Sequence, residues 1–253
     1  MFATSTAHPV KPAGAAGTDG REAVACSPSR HLSPAAGTMT AEPPHSPVTE
    51  AVRSLEVRWI FPGQLETAVA GWFSRFPATT ESREDTYLLD PPTRGLSVKV
   101  RTGAALEVKV YRGSPGMLQV PGRARGRLEA WQKWSFPFSP LRLDSAGPAG
   151  WQPVRKTRRI SRFSLASGPA AAPAPVPGGE PWCAVELTEV RTRGQDWWTL
   201  GFEATGPADR LHSQLQAAAA LVFAQPLPAA VRPGPDYSSS YAQWLVPPPG
   251  AEK

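Results

Sequence analysis

The chain has 253 residues, a formal net charge of +6 at neutral pH, 22 glycines and 30 prolines. No apolar run approaches the roughly 20 residues that a membrane-spanning helix needs, and the glycines show no collagen period. Cys26 and Cys183 are the only cysteines, too few for a disulfide framework or a zinc site, which favours a reducing, cytoplasmic location.

Proline and tryptophan divide the chain into a folded part and its flanks. Seven prolines fall within residues 1–48, whereas all nine tryptophans follow residue 58. A segment without large apolar side chains cannot offset the entropy of becoming ordered. The composition therefore predicts a disordered tail at 1–48, one domain at 49–246 with an internal Pro/Ala linker at 168–179, and a C-terminal tail at 247–253.

Most of the predicted elements are strands whose polar and apolar residues alternate. In the first, Glu56 and Arg58 lie on one face and Val57 and Trp59 on the other, because side chains in a strand alternate with period two. The eight predicted strands cover 54–61, 83–90, 96–103, 105–113, 130–136, 153–165, 182–190 and 196–204. Apolar stripes predict helices at 62–76, 207–224 and 240–245.

The positive charge is concentrated in the middle of the chain. Residues 94–162 contain fifteen Lys or Arg against Glu107, Glu129 and Asp144, a local balance of +12, so the rest of the chain carries −6. The common explanation of such alternation is the solvated face of a half-buried antiparallel sheet. If the polar faces point inward instead, the strands form a barrel whose charged lumen can bind phosphates and a divalent cation.

Several dispersed pairs of charged residues carry a resemblance to a known family. They are Ser54-x-Glu56-x-Arg58, Lys99 and Arg101, Glu107 and Lys109, Lys156 and Arg158 (or, in the other register, Arg155 and Arg159), and the late acids Glu186 and Glu203. In order and spacing they resemble the CYTH or triphosphate tunnel family. The resemblance covers about 54–205, and Ser54 stands where the family has its first glutamate.

The resemblance implies an α+β, mainly β fold, an antiparallel barrel with a few covering helices. It also implies hydrolysis of a triphosphate or other phosphoanhydride with Mg²⁺ or Mn²⁺, and a small polyanionic ligand as partner. The phosphate-binding residues implied are Arg58, Lys99, Arg101, Lys109, Lys156 and Arg158. The metal ligands implied are Glu56, Glu107, Glu186 and Glu203, and the catalytic residues are Glu56, Lys99 and Arg101.

Two other functions compete with this interpretation. The Ser54 departure favours a non-catalytic protein that binds a phosphate ligand on the same scaffold. The Arg-rich segments 122–127 and 155–159, with Trp131, Trp134 and Trp151 nearby, are compatible with nucleic-acid binding. We favour a mobile, solvated loop at 122–127, and no membrane partner is expected.

Other enzyme classes are poorly supported. Three of the four histidines lie in the predicted tail and His212 lies on a polar helix face, so no imidazole is placed for nucleophilic catalysis. The sequence also has no phosphate-binding loop of the GxxxxGKS type and no GxGxxG turn.

Overall fold

The computed structural model describes residues 51–90, 95–101, 105–137, 149–164, 182–228 and 231–246. The predicted tails (1–48 and 247–253), the linker at 168–179 and the turn at 102–104 lie outside the described residues. Within the described ranges, no helix has the length and apolar character needed to cross a bilayer.

The eight predicted strands are all present and form a closed antiparallel barrel. They are β1 (Val52–Pro62), β2 (Thr79–Leu88), β3 (Leu96–Arg101), β4 (Ala105–Val120), β5 (Ala124–Pro137), β6 (Trp151–Ser164), β7 (Trp182–Thr192) and β8 (Gln195–Thr205). Their order around the barrel is β1-β5-β4-β3-β2-β6-β7-β8, and β8 pairs with β1 to close it. The predicted mainly β barrel with covering helices is confirmed.

The three predicted helices are shorter than their apolar stripes indicated. They are α1 (Thr67–Phe73), α2 (Leu211–Val222) and α3 (Tyr241–Trp244). The first begins late because β1 extends through Pro62, which still pairs with Trp197. The next residue, Gly63, donates its backbone N–H to the Asp196 carbonyl at 2.9 Å, so the chain remains attached to the sheet there.

The main apolar core lies outside the barrel, between its wall and the helices. Trp59 of β1 is fully buried and makes edge-to-face contacts with Phe202 of β8 and with Phe223 at the end of α2. The buried side of α2 adds Leu215 and Val222 to the same cluster. Because alternate residues of β1 face this core, the remaining residues, including Glu56 and Arg58, must face the barrel interior.

The prediction of a solvated loop at 122–127 is wrong from Ala124 onward, where β5 has already begun. Arg125 and Arg127 alternate with Ala124 and Gly126, because every second position of β5 faces the outer core. Gly126 is buried there, and a Cβ at this position would lie 2.7 Å from the Trp59 ring. The Trp59 indole N–H also donates to the Arg125 carbonyl at 3.0 Å, which ties β5 to β1 where their strand pairing has ended.

The C-terminal segment completes the barrel wall and closes one end. Its backbone crosses the gap between β1 and β5, since Ser238 bridges Trp59 and the Ser239 N–H donates to the Arg58 carbonyl at 3.0 Å. Beyond it, Leu245 joins a second apolar cluster with Tyr87, Val154 and Val190, which lie at the same end of the barrel. The lumen is therefore covered at this end by α3.

We expect Gly126→Ala to lower the free energy of unfolding by about 1–3 kcal/mol, because the added methyl group would overlap the Trp59 ring and the Val57 side chain. Gly71→Ala is the matched control, since a Cβ at this position of α1 meets nothing within 4 Å. In a helix that change stabilises by roughly 0.5–1 kcal/mol. Urea unfolding of both variants checks the prediction, and an unchanged midpoint for Gly126→Ala would contradict it.

Candidate functional site in the barrel lumen

The polar faces of the strands enclose a charged lumen. The side chains leave a cavity of about 100 Å³, lined by nine basic and five acidic residues. The basic residues are Arg58, Arg83, Lys99, Arg101, Lys109, Arg127, Lys133, Lys156 and Arg158, and the acidic ones are Glu56, Glu107, Glu129, Glu186 and Glu203. With the buried Asp85 in the wall beside them, the formal excess is three positive charges.

All ten residues that the sequence assigned to a site lie on this lumen. The two possible registers of β6 are resolved, because Lys156 and Arg158 face inward. Arg155 and Arg159 face outward and pair with Glu84 and Glu189 on the outer surface. The structure thus brings the ten side chains into one enclosure, while their individual roles remain predictions.

Glu186 of β7 is the centre of the first ion-pair cluster. Its carboxylate contacts the guanidinium groups of Arg58, at 3.1 Å, and Arg158, and it accepts a hydrogen bond from Thr188 at 2.7 Å. Burial alone favours the neutral acid, but the two arginines outweigh it and hold the pKa of Glu186 well below its usual range. Gly201 leaves room for this arrangement, since a Cβ there would lie 2.9 Å from the Arg58 guanidinium carbon.

Lys109 of β4 links the carboxylates of β1 and β8 in the second cluster. Its ammonium lies 2.6 Å from Glu56 and 3.9 Å from Glu203, and Lys133 is also 3.9 Å from Glu203. Burial alone lowers the pKa of Lys109, yet Glu56 and Glu203 outweigh burial and raise it. Ser54, in the position of the family's first glutamate, donates to Glu56 at 2.6 Å.

Glu107 of β4 joins the two basic residues of β3 in the third cluster. Its oxygens lie 2.8 Å from Lys99 and 2.7 Å from Arg101. Burial raises the pKa of a carboxyl group, but Lys99 and Arg101 outweigh burial and lower the pKa of Glu107 to about 2. Each of the three clusters therefore pairs predicted phosphate-binding residues with predicted metal ligands.

Several lumen residues escaped the sequence analysis. Asp85 and Arg83 lie on β2, which was predicted as a strand, and period-two alternation from Tyr87 would have placed both on its inner face. Lys133 lies on the strand predicted at 130–136, so the same alternation could have placed it on an inner face. Tyr241 had no such signal, because only the tertiary fold places α3 over the lumen, with the Tyr241 ring 3.9 Å from the Lys156 ammonium.

The predicted metal ligands do not fit one metal centre in this arrangement. Among the described residues, no three His, Cys, Asp or Glu side chains gather closely enough to hold a metal ion. Glu107 is paired with Lys99 and Arg101, whereas Glu186 is paired with Arg58 and Arg158 in a different cluster. Dependence on Mg²⁺ or Mn²⁺ therefore stays a prediction of the sequence resemblance.

No protein-family model matches the chain, and no curated protein matches its sequence. Two solved structures of the S. pombe Pct1 RNA triphosphatase are similar to it at 10% sequence identity. The structure of its complex with the Spt5 CTD has a TM-score of 0.36, covering 70% of this chain and 80% of that one. The other has a TM-score of 0.34, covering 70% and 79%.

We expect Glu107 to contribute stability that is lost on acidification. The pKa of its carboxyl falls from 4.5 to about 2 on folding, so its contribution is present above pH 4.5 and disappears as the pH falls toward 2. At roughly 1.4 kcal/mol per pKa unit, the contribution is about 3 kcal/mol. Glu107→Gln should therefore be less stable than the parent near neutral pH and approach it near pH 2.

Urea unfolding at a series of pH values measures this difference. The control is Glu189→Gln, which breaks an outward-facing pair with Arg159 and should change stability by less than about 1 kcal/mol. A Glu107→Gln deficit that stayed constant from pH 7 to pH 2 would show that lost packing, and not the carboxylate charge, causes it.

Proposed function

We propose that the lumen binds a small polyanion of the triphosphate class. The observation that carries the proposal is the convergence of nine basic side chains from six different strands on one enclosed cavity. A solvated sheet face would spread such charges outward into water, where salt screens them. Guanidinium and ammonium groups enclosed at low dielectric are strong partners for phosphate oxygens.

The ligand would bind by exchanging partners. Each cluster already holds its cations on a carboxylate, as Lys109 is held on Glu56 at 2.6 Å, so the phosphate oxygens would replace carboxylate oxygens. This exchange costs less than binding a polyanion to solvated lysines, because the ammonium groups have already lost their water. The formal excess of three positive charges favours the phosphates over the carboxylates they displace.

Hydrolysis of a phosphoanhydride in the bound ligand is the second part of the proposal and rests on the sequence resemblance. Arg58, Lys99 and Arg101 would neutralise charge that develops on the transferred phosphoryl group. A non-catalytic phosphate-binding protein is the alternative. The Ser54–Glu56 hydrogen bond favours it, because a hydroxyl occupies the position of a carboxylate that a metal would use.

We expect isothermal titration calorimetry to detect binding of tripolyphosphate, and Lys99→Met to weaken it by about tenfold or more, as expected for the loss of one charged hydrogen bond. Arg101→Met should also weaken binding, and because this side chain is 35% exposed, its substitution is less disruptive to folding. Arg155→Met is the matched control, because Arg155 lies next to Lys156 on β6 but faces solvent.

The same proteins can be compared with single-stranded DNA and tested for phosphate release with and without Mg²⁺ or Mn²⁺. Binding of tripolyphosphate without turnover in either metal would establish the non-catalytic alternative. Equal affinity of the parent and Lys99→Met for tripolyphosphate would reject the lumen as the site. Tight DNA binding that Arg155→Met weakens and Lys99→Met leaves unchanged would instead support an outer basic surface.

A further inference from the structure

Asp85 is a fully buried carboxylate that the proposed chemistry leaves without a role. It lies in the middle of β2, on its inner face, with 0% of its surface exposed. In the strand register its neighbours are Arg101 of β3 and Val154 of β6. A carboxylate in such a position costs several kcal/mol of desolvation unless cations surround it.

Cations do surround Asp85, on three adjacent strands. One carboxylate oxygen lies 2.9 Å from Lys156 and 3.2 Å from Lys99, while the other lies 3.3 Å from Arg83 and 4.0 Å from Arg101. Burial alone favours the neutral acid, but Lys99 and Lys156, with Arg83, outweigh it and lower the pKa of Asp85 far below its usual range.

Lys156 depends most on this carboxylate. Its side chain is 3% exposed, and its ammonium group donates to Asp85 at 2.9 Å and to the Tyr87 hydroxyl at 2.7 Å. The aromatic rings of Tyr87 and Tyr241 cover the rest, at 4.8 and 3.9 Å from the nitrogen. Lys99 has Glu107 as a second counterion at 2.8 Å, whereas Asp85 is the acid that the described structure places in contact with Lys156.

We propose that Asp85 is a positioning residue that keeps Lys156 in its charged ammonium form and aimed into the lumen, where it can bind the polyanion. This inference rests on the proposed function only for the identity of the ligand. The claim about the charge of Lys156 concerns the protein itself and can be measured without a ligand.

The groups that face Lys156 determine its charge. The pKa of Lys156 lies well below its usual value, because burial, together with the neighbouring cation Lys99, outweighs the attraction of Asp85 and the more distant Glu186. Arg83 is its register partner on β2 and Arg158 its inward neighbour on β6, so both add repulsion. Tyr87 and Tyr241 are neutral, because burial raises the pKa of each hydroxyl.

Without the Asp85 charge, the remaining neighbours of Lys156 favour the neutral amine. Buried lysines that lack a counterion titrate at roughly pH 5–6 in documented cases. In Asp85→Asn, which keeps the shape and removes the charge, we therefore expect Lys156 to be neutral at pH 8 and to regain its proton on acidification. A neutral amine attracts phosphate far less than an ammonium group does.

The test compares tripolyphosphate affinity of the parent and Asp85→Asn at pH 8 and near pH 5.5. We expect the variant to bind about tenfold more weakly at pH 8 and to recover most of that loss at the lower pH, relative to the parent at each pH. Lys156→Met should show a similar loss at both pH values. Adding Asp85→Asn to Lys156→Met should then cost little more.

Two outcomes would overturn the proposal. A deficit of Asp85→Asn that is equal at both pH values would mean that the residue serves structure only. Equal or tighter binding by Asp85→Asn at pH 8 would mean that Asp85 competes with the ligand. Thermal unfolding of each variant shows whether it is folded at the assay temperature.

A measurement on the parent keeps the proposal testable if Asp85→Asn does not fold. The chain has six lysines, so the ¹³Cε resonance of Lys156 can be assigned in ¹³C-lysine-labelled protein by comparison with Lys156→Met. We expect a charged Lys156 at pH 7, and a neutral amine there would refute the proposal. If the parent fails to bind tripolyphosphate, the proposed function fails, while this NMR measurement still tests whether Lys156 is charged, as the role proposed for Asp85 requires.

Discussion

Charged residues inside a closed barrel have one another as their nearest partners, and this constraint shapes the rest of the structure. The inner faces of eight strands point into one lumen, where many of the charged side chains are buried and an unpaired buried charge is expensive. The lumen meets this requirement with acids placed among the bases. Glu186, Glu107 and Asp85 are each buried and each contact at least two cations.

The same pairing would also prepare the lumen for the proposed polyanion. A group of like charges held together out of water would lose protons or push the strands apart, so carboxylates among the cations favour their charged forms and hold them in position. Because the acids are fewer than the bases, the enclosure keeps a positive excess that a ligand can satisfy. The acids of this lumen therefore have a structural explanation that does not depend on metal binding.

The apolar part of the fold is arranged around this charged interior. The outer faces of β1, β7 and β8 pack against α1 and α2, and these five elements together supply most of the main hydrophobic core, which leaves the inner faces free to be polar. The C-terminal segment crosses the gap between β1 and β5, and Leu245 closes one end with a small apolar cluster. Tyr241 is thereby placed against both Arg58 and Lys156 at the covered end of the lumen.

The sequence by itself determined the local features, because period-two alternation depends on neighbouring residues alone. It separated Glu56 and Arg58 from Val57 and Trp59, and it located all eight strands, but at 155–159 it left two registers open. Closure of the barrel decided that Lys156 faces inward and that Arg125 lies in a strand. Pairing across the lumen, as between Lys109 and Glu56, and the approach of Tyr241 join residues far apart in the chain, so only the tertiary structure decided them.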